Sequence, residues 1–167
     1  FMCCADGYAQ ANSPTEDDFK YIQFDFGSEV IFDNVILHPA RPSGKPGEKG
    51  VLFPLRVKLY VDNTDRFDHT FMRAGEYTWQ DIPDAGAEPQ TFTMTRFKLR
   101  YLRIVVQKMQ KAGDDGYAFA LGEVEVRDGA NNIAGQAKVT SGDSIEEGPW
   151  SIRALNETTR ASASCST

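Results

Sequence analysis

KYIQFDFGSEVIFDNVILHPAR, residues 20–41, decides the fold class. In YIQFDF (21–26), Ile22, Phe24 and Phe26 face one way while Tyr21, Gln23 and Asp25 face the other. Period-two alternation puts one side of a strand in a core and the other in water. EVIFDNVILH (29–38) is a second run of the same kind, separated from the first by a glycine and a serine.

The pattern recurs along the chain. In LRVKLYV (55–61), Leu55, Val57, Leu59 and Val61 alternate with Arg56, Lys58 and Tyr60. TFTMTRFKL (91–99), RYLRIVVQKM (100–109) and FALGEVEVRD (119–128) are further strands, and Leu102, Ile104 and Val106 share a face of the second. SGKPGEKG, IPDAGAEPQ and KAGDDG have turn composition and separate the runs. No stretch holds a helical period for long. Many short strands without alternating helices predict an all-β antiparallel β-sandwich. Its expected core includes Ile22, Phe24, Val57, Leu59, Leu102, Ile104 and Leu121.

A chain of 167 residues is long enough for one domain with a sizeable core. Hydrophobic residues make up 41% of it, yet no apolar run reaches the roughly 20 residues of a membrane-spanning helix. The net charge is −6 with the basic residues scattered, so neither a nucleic acid nor a membrane is an expected partner. Residues 1–20 have no charged start followed by an apolar core, and the chain begins at Phe1, as expected of a piece of a longer protein. Cys3, Cys4 and Cys165 form no disulfide framework; a Cys4–Cys165 bridge and free thiols are both compatible with their positions.

Catalysis finds no seat in the sequence. GKPGEKG (44–50) has a phosphate loop's glycines but not its lysine–serine/threonine ending, and no helix follows. His38 and His69 sit in neither a metal pattern nor a nucleophilic triad. The carboxylate pairs Asp17–Asp18, Asp114–Asp115 and Glu146–Glu147 lie on polar loops. A glycosidase instead sets two carboxyls ~5–10 Å apart with one pKa raised.

Four phrases in order carry a resemblance: Tyr21–Gly27, Leu37–Arg41, Phe53–Val61 and Leu121–Val126. Over residues 19–128 the chain resembles a discoidin domain. This is the factor V/VIII type C fold, galactose-binding-like and shared with family 32 carbohydrate-binding modules. The resemblance departs at the ends. The phrases that usually open such a domain stand here at the C-terminus, as NNIAGQAKVTSGDS (131–144) and WSIRALNETTRASAS (150–164). Residues 131–167 therefore either complete this domain in permuted order or begin a second, truncated module. Completion would bury Val139 and Trp150.

The resemblance implies a non-catalytic carbohydrate-binding module, an accessory of a secreted bacterial glycoside hydrolase or other polysaccharide-degrading enzyme. The chain would then be extracellular, periplasmic or on the cell surface, with a polysaccharide or oligosaccharide and the rest of a multidomain parent as partners. The alternative is a protein-interaction, adhesion or spacer module without sugar binding. In sugar-binding members an arginine ending the proline–arginine strand bonds hydroxyls and a later aromatic stacks on the ring. Arg41 occupies the first position, and Tyr117 or Phe119 the second. Arg41 and Tyr117 are expected to converge, with part of loop 43–50 as a wall. The competing roles are a pairing of Arg41 with Glu48 and a place in the core for Phe119. A structural calcium is also implied, with Glu123, Asn156 and Thr159 as candidate ligands, although Glu123 could equally accept backbone hydrogen bonds. No other cofactor is implied.

Overall fold

In the computed structural model, residues 7–41, 48–67, 71–72, 79–114, 116–142 and 151–156 are described. In chain order they form β1 (Tyr8–Ala9), β2 (Lys20–His38), β3 (Arg56–Asp62), β4 (Phe71–Met72), β5 (Gln90–Lys108) and β6 (Gln110–Lys111). There follow β7 (Tyr117–Ala118), β8 (Ala120–Leu121), β9 (Glu123–Asp128), β10 (Asn131–Asn132) and β11 (Lys138–Ser141). The only helical segments among the described residues are short 3-10 turns at Ala134–Gln136 and Ile152–Leu155. Cys3, Cys4, His69, Trp150, Thr159 and Cys165 lie outside the described residues.

Two strands that the sequence pattern separates are one. β2 runs through the glycine–serine break for 19 residues, and β5 merges the two runs at 91–99 and 100–109 into another 19. They pair antiparallel throughout, with register shifts between Asp25 and Val30 and between Phe32 and Asn34. At the first shift Gly27 takes φ +76°, and its N–H donates to Asp25 Oδ1 at 2.8 Å. From the Asp25–Tyr101 pair to the Val30–Leu99 pair β2 advances five residues and β5 two, and the three extra residues bulge out and bend the strand without ending it. The second shift reverses the phase: Ile22, Phe24, Phe26 and Phe32 are buried before it, Val35 and Leu37 after it.

The bent ribbon gives each half its own neighbours. Along the first half, β11 pairs with β2 (Val139 with Phe24), and β3 pairs with β5 (Leu59 with Ile104). Along the second half β9 pairs with β2 (Val126 with Val35), and β10 pairs with β9. Side chains from both halves meet in one hydrophobic cluster, the inside of an antiparallel β-sandwich. All seven core residues expected from the sequence are buried there.

The C-terminal segment packs on the same core. Leu155 and Ala154 are buried, while Val139 is only half-buried against the cluster. The Ser151 N–H donates to Gly7 O at 2.9 Å, next to β1, which itself pairs with β8.

Candidate ligand-binding rim

Beyond β2 the chain keeps its contacts through Ala40, which bridges to Val51 and accepts from its N–H at 2.9 Å. Arg41 follows. Its Nε donates to Glu48 O at 2.6 Å and its Nη2 to Ala87 O at 2.9 Å. The guanidinium is thus used on two main-chain carbonyls, and its contact with Glu48 is to the carbonyl oxygen. These bonds tie segment 48–50 to the turn at 84–87, and Gly50 N–H completes the join by donating to Gly86 O at 2.8 Å. Both glycines are required by this close approach. A Cβ on Gly50 would stand 2.3 Å from Pro39 Cβ, and one on Gly86, at φ +97°, would stand 2.7 Å from Gly50 O. Residues 42–47, the centre of the glycine–proline loop, lie outside the described residues.

Tyr117 is fixed by its backbone, which exchanges two 2.8 Å hydrogen bonds with Ser13. Its half-buried side chain lines an open cleft of about 520 Å³. Leu55, Ile82, Ala85 and Met109 give the cleft an apolar floor, and Lys49, Asp81, Asp84 and Lys108 give it a charged margin. Lys49 Nζ lies 2.8 Å from Asp84 Oδ1. Asp81 takes Lys108 Nζ at 3.0 Å and Arg56 Nε at 2.7 Å. The Lys108 ammonium, helped by the Arg56 guanidinium, holds the Asp81 carboxyl below its ordinary pKa against the opposing effect of burial. An acid held ionised in this way suits hydrogen-bond acceptance and not proton donation.

The structure therefore places Tyr117 and Lys49 of the rim loop on the same cleft, with Arg41 one step behind. Arg41 does not line the cleft; it holds the two segments that carry Lys49 and Asp84. Asp84 escaped the sequence reading because IPDAGAEPQ (82–90) has the composition of a plain turn, Asp81 because it stands just before that turn, and Lys108 because it reads as the outward residue of a strand. Nothing in the spacing of Asp81 and Asp84 marks them as a site.

Phe119 corrects the expectation of a ligand contact. It is fully buried at 0% exposure, its ring centroid 6.1 Å from that of Tyr8 inside the core. Unbroken strand alternation would keep Phe119 on the side of Tyr117, but Phe119 falls in the break between β7 and β8, where the alternation is interrupted and the side chain turns into the sandwich.

Among the described residues, the implied calcium ligands Glu123 and Asn156 stand on separate elements. Asn156 Nδ2 donates to Ala134 O and Ala137 O, both at 2.9 Å, so the amide serves to hold the turn at Ala134–Gln136. That turn adjoins Val126, whose carbonyl accepts from Ile133 N–H at 2.7 Å. Glu123 opens β9 opposite His38, three residues or roughly 10 Å along an extended strand from Val126. Thr159 lies outside the described residues, and among those described no group of three His, Cys, Asp or Glu side chains could hold a metal ion. Among the described residues the implied set is one carboxylate and one amide, short of the six or more oxygens that calcium needs.

No protein-family model matches the sequence, and no curated protein matches it either. Among solved structures, the chain is similar to chitosan-binding module 1 of a chitosanase/glucanase from Paenibacillus sp. IK-5. The two are 17% identical with a TM-score of 0.47, over 70% of this chain and 74% of that one. At that distance the likeness bears on neither ligand nor site.

Proposed function

We propose that the chain is a non-catalytic carbohydrate-binding module whose ligand lies in the cleft beside Tyr117. One observation carries the reading: a solvent-open cleft combines an aromatic side chain, an apolar floor and pre-paired charged donors and acceptors. A pyranose presents an apolar C–H face and a ring of hydroxyls, and those two surfaces need this combination. Charges already paired with one another stay fixed in place, so they can bond hydroxyls without the cost of ordering free lysines. We further read the whole chain as one discoidin-like domain in permuted order, supported by the pairing of β11 with β2 and the burial of Leu155. On this reading the module serves a secreted bacterial polysaccharide-degrading enzyme, outside the cell.

A spacer or protein-interaction module is the second reading. It is favoured by Arg41, which the sugar-binding role would have left facing ligand and which is bonded to two carbonyls instead. Screening the isolated chain on a glycan array, then titrating a responsive oligosaccharide by calorimetry, separates the two. Binding that Tyr117→Ala weakens by about 1–3 kcal/mol supports the cleft. No response from any glycan supports the spacer.

A further inference from the structure

The outward face of the first sheet half carries a second cluster, on the side of β2, β5 and β3 away from the core. Register places Gln23, Arg103 and Tyr60 in one cross-strand row, and Tyr21, Val105 and Lys58 in the next. Phe19 stands in front of β2, 64% exposed, with its ring centroid 5.6 Å from that of Tyr21. The Arg103 guanidinium lies 4.6 Å from the Tyr21 ring centroid and 4.4 Å from that of Phe67. Phe67 reaches this place with φ +52°, a left-handed conformation in which a bulky residue is strained. Strain of that kind persists where surrounding contacts enforce it, and it clusters at binding sites.

Between these groups is a cavity of about 120 Å³ lined by Phe19, Tyr60, Arg66, Phe67, Arg103 and Val105. None of the six is acidic, in a chain of net charge −6. Arg103 directs Nε and Nη2 to Gln23 Oε1, at 3.2 and 2.6 Å, which orients its fork. Arg66 is exposed and makes no ion pair or hydrogen bond among the described residues. An exposed guanidinium beside an oriented one, flanked by aromatic faces, complements a ring that bears one anionic group.

We propose that this face is a second binding site, distinct from the rim cleft, for an acidic polysaccharide built of carboxylated or sulfated pyranoses. The pyranose packs on Phe19, and its anionic group meets Arg66 and Arg103. Two cations serve one anion per ring, whereas a nucleic-acid strand would need a longer basic track along its phosphates. The proposal stands independently of the cleft.

The test is calorimetric titration of the full chain with a hexamer of galacturonic acid, its fully methyl-esterified counterpart, a sulfated hexasaccharide and a single-stranded oligonucleotide. At least one acidic sugar should bind, the neutral ester roughly tenfold more weakly or worse, with affinity falling as salt rises. Arg66→Ala and Phe19→Ala, both at exposed positions, should each weaken the acidic sugar by roughly tenfold at an unchanged melting temperature. Tyr117→Ala should leave that affinity in place. The proposal is overturned if neither acidic sugar binds, if the ester binds as well, or if the oligonucleotide binds more tightly. Loss on Tyr117→Ala with Arg66→Ala and Phe19→Ala silent would assign the binding to the cleft instead. Failure of neutral sugars on the array leaves all these outcomes unaffected, so the two readings fall separately.

Discussion

Arg41→Ala removes two charge-assisted donors from carbonyls that the fold has turned towards each other. Each such bond contributes about 1.5–3 kcal/mol, less where water replaces the donor, so a loss of about 1–3 kcal/mol in denaturant unfolding is expected. Arg41→Lys should recover little of it, because a single ammonium cannot span carbonyls on two segments as a planar fork does. Phe119→Ala tests the correction made between β7 and β8. Emptying a fully buried phenylalanine site costs about 3–5 kcal/mol, a large drop in melting temperature. If Phe119→Ala kept its melting temperature and lost only sugar affinity, its place in the core would be refuted. Arg41 and Phe119 show where residue-level reading stops. Both residue types suit a sugar, and only the path of the chain decides whether a guanidinium meets hydroxyls or carbonyls. That path depends on Gly50 and Gly86 meeting backbone to backbone across 36 residues of sequence, a contact with no local signature.

Among the elements, β11 has the most exposed role, since it covers the edge of β2 from Ile22 to Asp25. Truncation after Asp128 would remove β10, β11 and the buried Leu155 together. The product should be aggregation-prone and poorly folded, seen as early elution in size-exclusion chromatography and loss of a cooperative melt. A soluble product with an unchanged melting temperature would make the tail the start of a separate module. The strands themselves were legible because their buried residues alternate, and Ile22, Phe24, Leu102 and Ile104 all fall inside as the period predicts. What the period concealed was continuity. A single glycine in left-handed φ and a register shift join two apparent strands into β2, and a bulge looks in sequence like a turn. The cleft was less legible still, since Asp81 and Asp84 owe their role to lysines at 108 and 49.

For the whole molecule, acid is the condition that reaches several of these features at once. Asp25, Asp81 and Glu125 all have folded-state pKa values below their ordinary ones. The Arg100 hydrogen bond is the main cause at Asp25, and the Lys108 hydrogen bond at Asp81. At Glu125 burial acts in the opposite direction and is outweighed by hydrogen bonds from His38, at 2.7 Å, and Arg127, at 2.5 Å. A depressed carboxyl binds fewer protons folded than unfolded, so stability rises with pH through the interval between the two values. The contribution is complete above the ordinary values of 3.8 for aspartate and 4.5 for glutamate, and is lost as pH falls through the lower folded values. The three do not contribute alike. The Asp81 side chain is 43% exposed, where solvent screening leaves an ion pair little net effect. Glu125 is only 13% exposed and joins His38 on β2 to Arg127 on β9, two strands of the same sheet half. Glu125→Gln should therefore flatten the acid limb of a melting-temperature profile, between pH 5 and roughly pH 3, more than Asp81→Asn does. It should also lower stability at pH 7, where the wild-type carboxylate is ionised and bonded to both partners. An acid limb equally steep in Glu125→Gln and wild type would assign acid unfolding to other carboxylates.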